Sequence, residues 1–464
     1  MESFRTEQDA LGKISIPSDA LWGAATGRAI KNFPISSRRF PSHFIAMLGR
    51  IKAAAAKTNQ ELGLIEDKFA NAIISAAYKV ADGEHYDQFP LDVFQTGSGT
   101  SINMNANEVI ANLANASLGK DLGTWDPVHP NDHVNLCQSS NDVIPSVIHL
   151  ATVTEIDRSL IPALVELRAA LASKARAFDS IIKIGRTHLQ DAMPIRLGQE
   201  FAGYARQVEK CIERLRRMLP SLCELALGGT AVGTGAGAHH DFAASVCDRL
   251  SAEFVLDFRP AASPFEALAS RAPCVEASGC LAAAAICLMR IADDIRLLAS
   301  GPRLGLGELK LPALQPGSSI MPGKVNPVIP EMVCQVGSQV IGNNAAVIAA
   351  ASQGHLQLNT QLPVIAANIL ESIQILTAAS HSFSEHCVTG IEADEARCAS
   401  DVEKSLALAM ALVPKIGYAR AAEIAGEAAS SGRTIREVAL HRGVAGSKEL
   451  DELLQLERLT YPGI

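Results

Sequence analysis

Apolar residues recur at steps of three and four along much of the chain, and that spacing predicts helices. Phe201, Tyr204, Val208, Ile212, Leu215 and Met218, with Glu and Arg between them, form one stripe of an amphipathic helix interrupted at Pro220. A similar pattern runs from about His43 to Gly63, and only Ile14-Ser15-Ile16 reads as a short β segment. From Ala277 to Ala292 the run is apolar nearly all round before Asp293 and Asp294 close it. That suits a helix at the centre of a bundle, between subunits, and the run is too short to span a membrane. The pattern divides the chain into a mixed, mostly helical amino-terminal domain (1–138), a central long-helix domain (139–391) and a small, charge-richer helical tail (392–464) broken at Lys415-Ile416-Gly417-Tyr418. The predicted fold class is mostly α.

Composition narrows the functional classes. At 464 residues and 48% hydrophobic, the chain is too long for a small disulfide-stapled module. Its net charge of −8 offers no broad footprint for nucleic acid or for an anionic membrane, so neither is expected as a partner. The ten cysteines include no C-x-x-C pair and no iron–sulfur spacing, and read as thiols that are mostly buried. The stretch Met1-Glu2-Ser3-Phe4-Arg5-Thr6-Glu7 is acidic where a targeting segment is basic, so a cytoplasmic location is expected.

Chemistry concentrates in a few segments. Gly317–Pro327 crowds Gly, Ser and Pro around one cation, Lys324, and one amide, Asn326. With five residues between Gly317 and Gly323, and Val325 after the lysine, it is not a phosphate loop. Glycines let backbone approach a ligand, Lys324 supplies charge, and Ser318 or Ser319 a hydroxyl, a set suited to gripping a carboxylate. Gln95–Asn105 and Gln138-Ser139-Ser140-Asn141-Asp142 place hydroxyls and amides at probable helix starts, where they serve either as caps or as anion donors. Gly185-Arg186-Thr187-His188-Leu189-Gln190-Asp191 adds a titratable imidazole. The shared theme, neutral donors with few cations, fits a small dicarboxylate held by many hydrogen bonds. The glycine run Gly228–Gly235 lacks a Rossmann setting, and neither His129 with His133 nor His239 with His240 brings the ligand set of a zinc site, so no metal is expected.

Taken together, GSSIMPGKVNP at 317–327, QTGSGTSINMNANEV at 95–109, HPNDHVN at 129–135, QSSND at 138–142, GRTHLQD at 185–191 and GGTAVGTG at 228–235 resemble, in order, the blocks of the fumarase/aspartase superfamily. The resemblance covers essentially the whole chain, including WGA-x-T at 22–26. It implies a three-domain fold with a central long-helix bundle that assembles into a homotetramer, each active site drawing on three subunits. It also implies a cofactor-free lyase acting on a small dicarboxylate through an aci-carboxylate. By position in the motifs, Ser318 would be the base on a mobile loop, His188 would act on the water with Glu331 as the carboxylate holding its imidazole, and Lys324 and Asn326 would hold the developing charge. Ser98, Thr100, Ser139, Ser140, Asn141, Thr187 and Ser319 would bind substrate, and His129, Asn131 and Asp132 resemble a secondary anion site. Ser98, Ser140 and Gly323 lean towards class II fumarate hydratase; Met193–Leu197, Pro327–Glu331 and Leu356–Asn359 look closer to aspartate ammonia-lyase, the alternative on the same scaffold.

Overall fold

The computed structural model describes residues 3–462; Met1 and Glu2, part of the amino-terminal stretch read above, lie outside the described residues, as do Gly463 and Ile464 at the end of the tail. Helices dominate, as the spacing predicts. β1 (Phe4–Asp9) and β2 (Gly12–Pro17) form an antiparallel hairpin that includes the Ile14–Ile16 segment. Next come α1 (Ala24–Asn32), α2 (Ser42–Glu61), α3 (Asp67–Ala81), α4 (Thr100–Ser117), α5 (Ser140–Glu155) and α6 (Ile161–Ala177). A second antiparallel hairpin, β3 (Ile182–Thr187) with β4 (Gln190–Arg196), precedes α7 (Leu197–Leu222), α8 (Phe242–Phe254), α9 (Pro264–Ala269), α10 (Ala272–Leu298), α11 (Val328–Ala351) and α12 (Leu362–His386). The tail holds α13 (Glu395–Lys404), α14 (Val413–Ile416), α15 (Tyr418–Ser431), α16 (Ile435–His441) and α17 (Ser447–Leu453), with its break at Gly417.

Two expectations need correction. α7 is not interrupted at Pro220 but runs on to Leu222, because the proline falls in its last turn, where the helix is ending. α10 extends beyond the Ala277–Ala292 run at both ends; it has 27 residues, an 18-residue stretch of it reaches a mean hydropathy of 1.7, and it is long and apolar enough to cross a membrane by length and composition, as is Leu362–Gly390. In the latter, 67% of the 18-residue apolar stretch is buried within the chain, as in a core helix.

The chain forms two compact units, neither of them continuous in sequence. The first comprises residues up to Pro162 with Glu213–Ala285 and Ser338–Thr377; the second comprises Ala163–Ile212, Ile286–Gly337 and the chain from Ala378 onward. In the first, Leu48 and Ile51 of α2, Ile73 of α3, Val109 and Ile110 of α4, and Ile148 of α5 are fully buried. A buried carboxylate stands in for the missing cap of α1: Glu108 of α4 accepts the N–H groups of Gly23 and Ala25 at 2.9 Å and the Thr26 hydroxyl at 2.6 Å. That ties the amino end to the helix that follows one of the chemical segments. In the second unit, Ile184 of β3 is buried in one core with Val402, Leu412, Ile424, Ile435, Val438 and Leu450, so the tail helices support the hairpin that carries His188.

Candidate active site

In the first unit the hydroxyl-rich segments converge. The loop before α4 passes so close to the carbonyl of Thr360 that a Cβ on Gly97 would lie 1.9 Å from that oxygen, while Gly97 accepts the N–H of Leu362 at 3.0 Å. Gln95 reaches forward to accept the N–H of Ile102 at 2.9 Å, so Gln95 rather than Thr100 or Ser101 supplies the side-chain partner at the start of α4. With its own hydroxyl released from capping, Thr100 contacts Ser98 and Ser140, both at 2.8 Å, giving a chain of three hydroxyls across two segments. Ser139 caps α5: its Oγ accepts the N–H of Asn141 at 3.2 Å, and Asp142 accepts the N–H of Ser139 at 2.9 Å. Asn141 is aimed the other way, donating from Nδ2 to the carbonyl of Ala231 at 2.8 Å. His129, Asn131 and Asp132 share one turn in which His129 Nδ1 accepts both following N–H groups and lies 3.2 Å from Asp132 Oδ2.

Beneath these segments lie two ionisable groups to which the sequence reading gave no role. Lys52 is fully buried on α2 and donates from Nζ to the side-chain oxygens of Asn135 and Gln138, each at 2.9 Å. Asp142 is fully buried as well. Burial pushes Lys52 down to about 7 and Asp142 up to about 7, each shift opposed in part by the charge of the other. The donor and acceptor complement favours ammonium and carboxylate, since Nζ meets two carbonyl oxygens and the carboxyl receives only N–H groups. Both were legible in principle: Lys52 breaks the apolar Ile51–Ala56 stretch, and Ser139 with Asp142 three residues on is a capping-box spacing.

In the second unit, Thr187 and His188 stand exposed at the tip of the β3–β4 hairpin. His188 and Leu189 form a two-residue turn with φ of +54° and +60°, the left-handed pair that a tight hairpin demands. The hairpin is anchored by Glu308, which is fully buried and meets Arg186 at 2.8 Å and Lys183 at 3.0 Å. His188 lines a cavity of about 340 Å³ with Lys183, Arg186, Glu200, Arg290 and Asp294.

The Gly317–Pro327 loop closes on itself. Gly317 donates its N–H to the carbonyl of Lys324 at 2.8 Å and accepts from Asn326 Nδ2 at 2.7 Å, and a Cβ at 317 would lie 2.5 Å from the Lys324 oxygen. Inside the closed loop, Ser318 Oγ accepts the N–H groups of Ile320 at 3.2 Å and Met321 at 3.0 Å. Lys324 and Ser319 are exposed. Lys324 and Asn326 also border a cavity of about 440 Å³. Glu331 lies in the first turn of α11, and among the described residues it makes no ion pair with His188. His239, His240 and Asp241 bring potential ligand atoms within 4.8 Å of one another in the segment before α8, where the sequence reading passed over Asp241.

Comparison with known proteins identifies the family and the fold. Residues 12–342 match the lyase family, and residues 408–461 match the fumarase C C-terminus. Over 463 residues the chain is 53% identical to a fumarate hydratase class II of Halobacterium salinarum, covering 100% of this chain and 98% of that one. It is 52% identical over 459 residues to fumarate hydratase class II 2 of Bradyrhizobium diazoefficiens, covering 99% and 97% respectively. A crystal structure of recombinant class II fumarase from Schistosoma mansoni superposes with a TM-score of 0.96 at 39% identity, covering 100% of both chains. A fumarate lyase:delta crystallin structure from Brucella melitensis, bound to cobalt, gives a TM-score of 0.96 at 46% identity, covering 99% of this chain and 100% of that one. The chain belongs to the fumarase/aspartase superfamily of lyases, among its class II fumarases.

Proposed function

We propose that the protein is a fumarate hydratase, adding water reversibly and in anti geometry across fumarate to give (S)-malate. The observation that carries this reading is Ser318, whose Oγ receives two backbone N–H groups in a loop that also holds Lys324 and Asn326. A serine becomes a useful base only where its alkoxide is stabilised, and preorganised N–H donors with a nearby cation supply that stabilisation. In the dehydration direction Ser318 takes the C3 proton of malate and the electron pair moves into the adjacent carboxylate. Lys324 and Asn326 hold the resulting aci-carboxylate. The C2–O bond then breaks and His188 protonates the departing hydroxide, so that water leaves; hydration retraces these steps. Ser98, Thr100, Ser139, Ser140, Asn141, Thr187 and Ser319 bind the two carboxylates and the leaving group, and His129, Asn131 and Asp132 form a secondary anion site.

A homotetramer whose active sites combine residues of three subunits completes the proposal, with Glu331 of one copy holding His188 of another. Apolar side chains left exposed on the long helices, among them Ile341 at 41% and Ile348 at 49% on α11, support such an assembly. A cytoplasmic location goes with the same reading. The two sequence relatives compared above, at 52% and 53% identity, are class II fumarate hydratases, and the aspartate ammonia-lyase alternative is not favoured. The test is hydration in D2O followed by proton NMR of the malate. One deuterium at C3 in the single diastereomer of anti addition is expected; a diastereomer mixture, or no malate, would overturn the mechanism.

A further inference from the structure

Asp142 joins the two backbone segments that carry donors in the first unit. Its Oδ1 serves the start of α5, accepting the N–H of Ser139 at 2.9 Å. Its Oδ2 serves the glycine-rich segment, accepting the N–H groups of Gly228 at 3.1 Å and Thr230 at 2.9 Å. Asn141 makes a second tie between the same segments through Ala231. Thr230 sits at φ +54°, a conformation costly for a branched side chain, with its hydroxyl buried and, among the described residues, lacking a hydrogen-bond partner. Such a residue persists only where its surroundings over-determine it, and the bond to Asp142 is one such constraint. Lys52 supplies the buried positive charge that accompanies the carboxylate.

We propose that Asp142 is a positioning residue: its two oxygens fix the separation between the start of α5 and the 228–235 segment, and so fix where Ser139, Ser140 and Asn141 present their donors. The inference rests on the reading of those three residues as substrate-binding groups. Asparagine at 142 keeps the size but turns one acceptor into an NH2 donor, so it cannot serve both segments. Glutamate keeps both acceptors and lengthens the tie by one methylene.

The experiment compares the full-length parent with Asp142→Asn, Asp142→Glu and Ser140→Ala, measuring kcat and KM for fumarate, melting temperature, and hydrogen exchange of the 139–141 and 228–235 amides. Asp142→Asn is expected to lower kcat/KM at least tenfold, with a raised KM accounting for part of the loss and with faster exchange concentrated in 228–235. Asp142→Glu is expected to fold and to lie between the two. Parent-like kcat/KM in either folded variant, or exchange quickened evenly across the chain, would overturn the proposal. If Asp142→Asn does not fold, Asp142→Glu carries the test alone. Ser140→Ala separates the two failures: if that variant keeps parental kinetics, the substrate-binding reading is wrong whatever Asp142 does.

Discussion

Ser318 illustrates what a motif conveys and what only geometry adds. The glycine- and serine-rich stretch marked the loop, but which hydroxyl is held by N–H donors depends on how the loop folds back between Gly317, Lys324 and Asn326. Ser318→Ala and His188→Asn should each lower turnover by about 10²-fold or more while leaving the folded assembly intact, as removal of a general base or acid does; steady-state kinetics beside size-exclusion chromatography checks both. Lys324→Met should lower kcat more than it raises KM, because the charge it meets grows towards the transition state. His149 makes a prediction of another kind. Burial, with the Arg271 charge adding to it, pushes this imidazole down from 6.5 to about 4, and Nδ1 lies 2.8 Å from the carbonyl of Glu224. Because the folded state binds the proton less well than the unfolded chain, stability is fully present above pH 6.5 and is lost as pH falls towards 4. The loss should be on the order of 3 kcal/mol, and His149→Gln should flatten the melting-temperature profile across that window. Residues whose role depends on burial, such as Lys52 and Asp142, were the ones the sequence reading left without a role, since no local pattern states depth.

Among the elements, the helices were legible because 3.6-residue spacing is written directly into apolar positions, as in α7, while the ends of α7 and α10 were not. The β3–β4 hairpin escaped notice for a definite reason. Its turn is His188-Leu189, whereas the usual signal for two left-handed residues is Asn-Gly or Asp-Gly. Leu189 is 72% exposed and lies at φ +60°, so Leu189→Gly should stabilise the hairpin by about 1 kcal/mol; a melting-temperature difference reads this out. Gly97→Ala should do the reverse. Its Cβ would meet the Thr360 carbonyl at 1.9 Å, displacing the loop that carries Ser98 and Thr100, and both activity and stability should fall.

At the scale of the whole molecule, the sequence placed the catalytic candidates in one superfamily pattern, and the fold distributes them over two compact units that each interleave distant segments. Apolar spacing says which face of a helix is covered but not by which chain, so subunit count was beyond its reach. Ile341 and Ile348, seven residues apart on one face of α11, are the exposed positions that the proposed assembly must cover. Ile348→Glu should shift the protein towards smaller species in light scattering and lower its activity together with its mass; an unchanged mass would count against an interface there. The central claim is tested most directly by following the ultraviolet absorbance of fumarate with purified protein in ammonium-free buffer containing a chelator, then with ammonium added. The account predicts loss without ammonium, with malate as the product; loss only when ammonium is present, with aspartate formed, would contradict it.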